Sequence, residues 1–105
     1  MKNEISNECL NSIYQNDPLL SELIKVFQQK IPTRVEELRE CYDKSDFGEL
    51  NRLSHSLKGA LLGYGFPMLA ETVALIEASS KDLVDISDLG VKLQNLEKLV
   101  DSAKT

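Results

Sequence analysis

The chain has few of the residues that mark metal, redox or nucleotide chemistry. It contains one histidine, two cysteines and no tryptophan among 105 residues. Cys9 and Cys41 lie far apart and match no CxxC spacing, so we expect two reduced, mostly buried thiols. No Gly-rich nucleotide loop follows a strand, and no carboxylate cluster suggests a magnesium site. The sequence therefore predicts no bound metal, no cofactor and no ATP site in this chain.

Long apolar runs and an excess of basic residues are also missing. No window approaches the roughly 18 apolar residues of a membrane span. The N-terminal MKNEISNECL contains no apolar segment typical of a signal peptide. The net charge of -5 opposes nonspecific attraction to nucleic acid or anionic lipid. We therefore expect a cytoplasmic protein that binds neither nucleic acid nor membranes.

Strand-like alternation is absent, whereas apolar residues recur at helical three- and four-residue steps almost throughout. The pattern predicts a short N-terminal helix and four longer ones, over about residues 6–14, 18–42, 47–62, 67–80 and 87–100. Asp17 is the expected N-cap of the long helix, with Pro18 at its first position, and Ser45 or Asp46 is the expected cap of the next helix.

The long helix carries a continuous apolar stripe, whose members are Leu20, Leu23, Ile24, Phe27, Ile31, Val35, Leu38 and Tyr42. The stripe resumes in phase after Pro32, which predicts a kink and not a break. Because the connections are short, neighbouring helices should be antiparallel. We predict an all-α fold, an antiparallel up-and-down four-helix bundle with a short additional N-terminal helix. It should form one domain over residues 1–105, and a monomer, since the bundle covers its own core.

The only histidine lies away from the core side of its helix. At about 100° per residue, the stripe Leu50, Leu53, Leu57 and Leu61 spans an arc of about 80°, and His55 lies about 150° from its centre. Its face carries residues unusual for a solvated surface, namely Gly48, Asn51, Gly59 and Leu62. A glycine inside a helix costs about 1 kcal/mol relative to alanine, so Gly59 suggests clearance for a large partner. Lys58 can place an ammonium group near an anion attached to the imidazole. The alternative, that His55 and Lys58 are ordinary solvated surface side chains, stays open.

These residues resemble the core motif of the histidine-containing phosphotransfer (HPt) domain family. In that motif a histidine is followed at three and four residues by lysine and glycine, and at ten residues by a further glycine. The motif positions are occupied here by His55, Lys58, Gly59 and Gly65. Ser54 stands where alanine is common and Ala60 where serine is common, and both preserve small size. The order of the predicted helices also matches the family over the whole chain.

The resemblance implies that His55 accepts a phosphoryl group from a receiver-domain aspartate and passes it to another receiver. It implies attack by Nε2, charge neutralisation by Lys58, and orientation of the imidazole by Glu77, for which a surface ion pair with a lysine is the alternative. Mg²⁺ and the catalytic aspartate would come from the receiver, so the chain is expected to be a carrier and not an enzyme. The absence of a Ser or Cys partner at triad spacing disfavours a hydrolase. A helical adaptor that binds a receiver or a partner helix without transferring phosphate is the alternative function.

Overall fold

The computed structural model describes residues 12–14, 16–82 and 85–104. Over those residues the chain forms four α-helices and no strand; they are α1 (Ser21–Asp43), α2 (Phe47–Gly63), α3 (Pro67–Asp82) and α4 (Ile86–Lys104). Each helix packs against the next, and the last packs against the first. The four helices therefore enclose one core, which confirms the predicted all-helical four-helix bundle.

The predicted N-terminal helix, over about residues 6–14, falls largely outside the described residues, as does Cys9. Of its described part, Ile13 and Tyr14 lie in a turn. That turn is fastened to the loop between α2 and α3, because the Ile13 amide donates to the Gly65 carbonyl at 2.8 Å. The hydroxyl of Ser12 donates to the backbone carbonyl of Tyr64 in the same loop.

The core follows the predicted apolar stripes closely. Its buried members from all four helices and the loop before α3 are Ile24, Phe27, Ile31, Val35, Leu38, Leu50, Leu57, Leu61, Phe66, Leu69, Ala70, Val73, Ile76, Leu89, Leu93, Leu96 and Val100. Leu53 and Tyr42 are partly buried against this cluster. The prediction was wrong for Leu20 and Leu23, which are 37% and 56% exposed. Leu20 precedes the first turn of α1, and Leu23 lies about 100° around the helix from Ile24, beyond the edge of the stripe.

The start of α1 also differs from the prediction. Residues 18–20 form a turn, and the helix begins at Ser21. The prediction of Asp17 as the N-cap was therefore wrong, since that position is taken by Leu20 without a side-chain capping bond. Asp17 instead stabilises the preceding turn, because its Oδ1 accepts the Leu19 amide at 2.9 Å and its carbonyl accepts the Ser21 amide at 2.9 Å. Pro32 lies inside the continuous helix, so the expectation that it does not end the helix is confirmed.

The two ends of α2 depend on specific local conformations. Asp46 is its N-cap, and Oδ1 of Asp46 accepts the Glu49 amide at 3.2 Å. Beyond its C-terminus, Gly65 has a φ of 86°, in the left-handed region that favours glycine. A Cβ atom at Gly65 would lie 2.6 Å from both the Ser12 hydroxyl and the Tyr14 ring. Gly65 therefore sets the chain direction between α2 and α3 and leaves room for the segment packed on it.

Within the described ranges, no helix has the length and apolar character needed to cross a bilayer.

Cys41 carries a free, half-buried thiol on α1. Burial, followed by the nearby carboxylates of Asp46 and Glu49, raises the pKa of the Cys41 thiol, so this side chain stays protonated near neutral pH.

Candidate functional site

His55 lies on the solvent side of α2, with 70% of its side chain exposed. The core side of the same helix is formed by Leu50, Leu57 and Leu61, all of them buried. The periodicity of the leucines thus places the imidazole outward, as the helical arc predicted. An exposed ring on a well-packed helix combines access for a partner with a fixed backbone.

Glu77 on α3 binds the imidazole from the neighbouring helix. Its Oε2 lies 2.7 Å from His55 Nδ1, and only 21% of its side chain is exposed. Glu77 directly follows the core residue Ile76 and comes four residues after Val73, so packing of α3 against the core places it at the flank that faces α2. The structure therefore brings together two predicted site residues that are 22 positions apart in sequence.

Lys58 binds the other oxygen of the same carboxylate. Its Nζ lies 2.7 Å from Glu77 Oε1, and most of its side chain is covered. One carboxylate thus bridges the imidazole and the ammonium group, and we call these three side chains the His55–Glu77–Lys58 cluster. Both contacts considered for Glu77 from the sequence, one with the histidine and one with a lysine, are present together, and its role in orienting the imidazole stays a prediction.

The electrostatics of the cluster favour an ionised Glu77. The hydrogen bond from Lys58 is the largest cause that lowers the pKa of Glu77; burial acts in the opposite direction, and the His55 contact lowers the pKa further. A carboxylate only accepts hydrogen bonds, so in the neutral ring the proton is on Nδ1 and the lone pair is on Nε2. In that tautomer the contact with Glu77 leaves the lone pair on Nε2, the outer nitrogen of His55.

The surface around the imidazole is open along α2. At Gly59, one turn after His55, an added Cβ would meet no described atom within 4 Å outside the local helix backbone and chain neighbours, and the same holds at Gly48. Leu62 is exposed on this face. Gly59 is thus not required by packing within the described part of the bundle, and the prediction that these three residues contact a partner stays a prediction.

Asn51 lies one turn before His55 and is directed partly inward. Its Nδ2 donates to the Glu77 carbonyl at 2.9 Å and to Ser80 Oγ at 3.2 Å. Asn51 therefore links α2 to α3, a role that helical periodicity did not indicate, and contact between Asn51 and a partner stays a prediction. Ser80 was missed from the sequence, since a serine three residues after Glu77 gives no signal that distinguishes it from a surface residue.

One of the comparisons with known proteins identifies the family of this chain. The model of the Hpt domain family matches residues 22–104, and the chain therefore belongs to the Hpt domain family. Neither the curated proteins nor the solved structures that were compared gave a match. Hpt domains are phosphocarriers, not catalysts, and take part in phosphorelays through receiver domains.

Among the residues that the structure describes, no group of three or more His, Cys, Asp or Glu side chains is arranged to hold a metal ion.

Proposed function

We propose that this protein is a histidine phosphotransfer protein of a multistep two-component phosphorelay. His55 accepts a phosphoryl group from the aspartyl phosphate of one receiver domain and passes it to the aspartate of another. The observation that carries the proposal is the state of the imidazole: Nδ1 contacts the Glu77 carboxylate at 2.7 Å, while 70% of the side chain is exposed. A held ring with a free outer nitrogen is what a phosphoryl carrier needs.

The transfer step follows from this arrangement. The Nε2 lone pair attacks the phosphorus and an N–P bond forms. The bond between phosphorus and the side-chain carboxyl oxygen of the aspartyl phosphate breaks, which releases the receiver's aspartate as a free carboxylate. Nδ1 keeps its proton, and the positive charge that develops on the ring lies beside ionised Glu77. Donation to the second receiver is the reverse of these bond changes.

Lys58 and Gly59 serve the same step in different ways. Lys58 follows His55 by three residues on the helix surface, so its flexible stem can bring the ammonium group from Glu77 to the phosphoryl oxygens. Gly59 leaves open space one turn along, which admits the receiver's active site. Leu62, Gly48 and Asn51 belong to the surface proposed to contact the receiver.

The chain acts as a carrier without an ATP site of its own. The receiver would supply the Mg²⁺, which would neutralise charge on the phosphoryl group, and the aspartate, which would carry the phosphoryl group before or after transfer. We further propose that residues 1–105 form one monomeric domain, and that it works in the cytoplasm, where receivers and hybrid histidine kinases present their aspartates.

The test is phosphorylation by receiver domains charged with ³²P-labelled acetyl phosphate. The native chain should become an acid-labile, alkali-stable phosphoprotein, and His55→Gln should remain unlabelled with an unchanged helical circular dichroism spectrum. Receiver binding without any label on the native chain would instead support the adaptor alternative.

A further inference from the structure

A second layer of polar contacts lies beneath the His55–Glu77–Lys58 cluster, between α2 and α3. Asn51 Nδ2 donates to the backbone carbonyl of Glu77 at 2.9 Å and to Ser80 Oγ at 3.2 Å. The Ser80 hydroxyl donates in turn to the same Glu77 carbonyl at 2.8 Å. We call the Asn51 amide, the Ser80 hydroxyl and the Glu77 carbonyl the Asn51 clamp.

The Asn51 clamp joins α2 to α3 through hydrogen bonds from one amide group. Asn51 Nδ2 has two acceptors on α3, the Glu77 carbonyl and Ser80 Oγ, and these two oxygens lie 2.8 Å apart. Ser80 is buried and Asn51 is half-buried, so these bonds are partly shielded from water and are stronger than at a fully exposed surface. Asn51 thus supplies a directional link between the helix that carries His55 and the backbone of the residue that holds its ring.

The position of α3 along its axis matters for the site above the clamp. Each oxygen of the Glu77 carboxylate makes a 2.7 Å contact, one with His55 and one with Lys58. A shift of one residue along a helix moves an atom by about 1.5 Å, which is enough to break such contacts. The apolar packing between the helices is non-directional and specifies this position less sharply than a hydrogen bond does.

We propose that Asn51 is a positioning residue for phosphotransfer. By holding the α3 backbone at Glu77, it keeps the carboxylate on Nδ1–H of His55 and so maintains the tautomer that leaves Nε2 free to react. This inference rests on the proposed function of His55. It gives Asn51 a role inside the bundle that is separate from its predicted contact with a receiver.

The experiment measures the tautomer and the transfer rate in matched variants. Asn51→Ala removes the amide, and Asn51→Leu removes it while keeping the same branched arrangement of side-chain heavy atoms in a good helix former, which protects folding. Asn95→Ala is the control, since Asn95 is an exposed asparagine within α4. Imidazole ¹⁵N chemical shifts in the unphosphorylated protein report the fraction of Nδ1–H tautomer, and a charged receiver reports phosphoryl acceptance.

Both Asn51 variants should lower the Nδ1–H fraction, whereas Asn95→Ala should keep the native value. Transfer should slow by about two- to tenfold, the factor to which the loss of an ordinary hydrogen bond converts. A native Nδ1–H fraction in both variants overturns the inference, whatever happens to the melting temperature. An altered fraction with a native transfer rate overturns it as well. Because the tautomer is measured without a receiver, this failure is distinct from a failure of His55 to accept phosphate.

Discussion

Substitution of Gly59 tests the idea that α2 leaves space for a partner. In the structure, an added Cβ at Gly59 meets nothing within 4 Å beyond its own helix backbone and chain neighbours. Gly59→Ala therefore adds no clash and gains the difference in helix propensity, about 1 kcal/mol. For a domain of this size, such a gain corresponds to a rise in melting temperature of about 4–8 °C. The isolated protein should be more stable without glycine.

Gly59→Gln separates stability from function. Glutamine is a good helix former, so this variant should melt at or above the native temperature. Its side chain lies one turn from His55 and should collide with an approaching receiver. We expect transfer from a charged receiver to slow by at least about tenfold, which corresponds to about 1.4 kcal/mol of lost interaction.

The assay pairs thermal denaturation with phosphotransfer for the Gly59, Gly59→Ala and Gly59→Gln proteins. Gly63→Gln is the matched control, since Gly63 is equally open but lies at the C-terminal end of α2, outside the surface proposed to contact the receiver. Native transfer by Gly59→Gln would refute docking clearance as the reason for the glycine. If Gly59→Gln melted below the native temperature, the expected gain in helix stability on replacing the glycine would be refuted, and slow transfer by that variant could not be assigned to a clash with the receiver.

Three further predictions concern single side chains around the site. Lys58→Ala should slow transfer or shorten the lifetime of the phosphohistidine without preventing receiver binding, and unchanged kinetics in both directions would make Lys58 a purely structural partner of Glu77. Ser54→Ala should raise the free energy of unfolding by about 1 kcal/mol or more in denaturant titration. The Ser54 hydroxyl is fully buried and finds no hydrogen-bond partner among the described residues, so a loss of stability would contradict this account. Because the folded-state pKa of Glu77 is lowered, its stabilising effect is present above about pH 4.5 and is lost as pH falls below that value. The difference in melting temperature between the native protein and Glu77→Gln should therefore narrow between pH 7 and pH 3, and a constant difference would contradict the lowered pKa.

The sequence was sufficient for the parts of the molecule that depend on periodicity. Apolar residues at three- and four-residue steps identified the four helices, and the leucine stripe of α2 placed His55 outward. The N-cap of α2 was predicted as Ser45 or Asp46, and it is Asp46; capping was readable because it needs a side-chain oxygen at that position.

Contacts between helices were much less predictable. Periodicity gives the face on which a residue lies, but the axial position of α3 against α2 decides which atoms meet. The Asn51 bonds to α3 and the shared use of Glu77 by His55 and Lys58 depend on that position. Leu23 was misplaced for a related reason, since a residue at the edge of a stripe is buried only if a neighbouring helix extends over it.

The most direct test of the central claim is the site of phosphorylation after incubation with a charged receiver. Phosphorus-31 NMR and peptide mapping under alkaline conditions should find one phosphoryl group on Nε2 of His55, and its loss when an uncharged receiver is added with Mg²⁺. Label on any other residue, or label that persists in His55→Gln, would contradict the account.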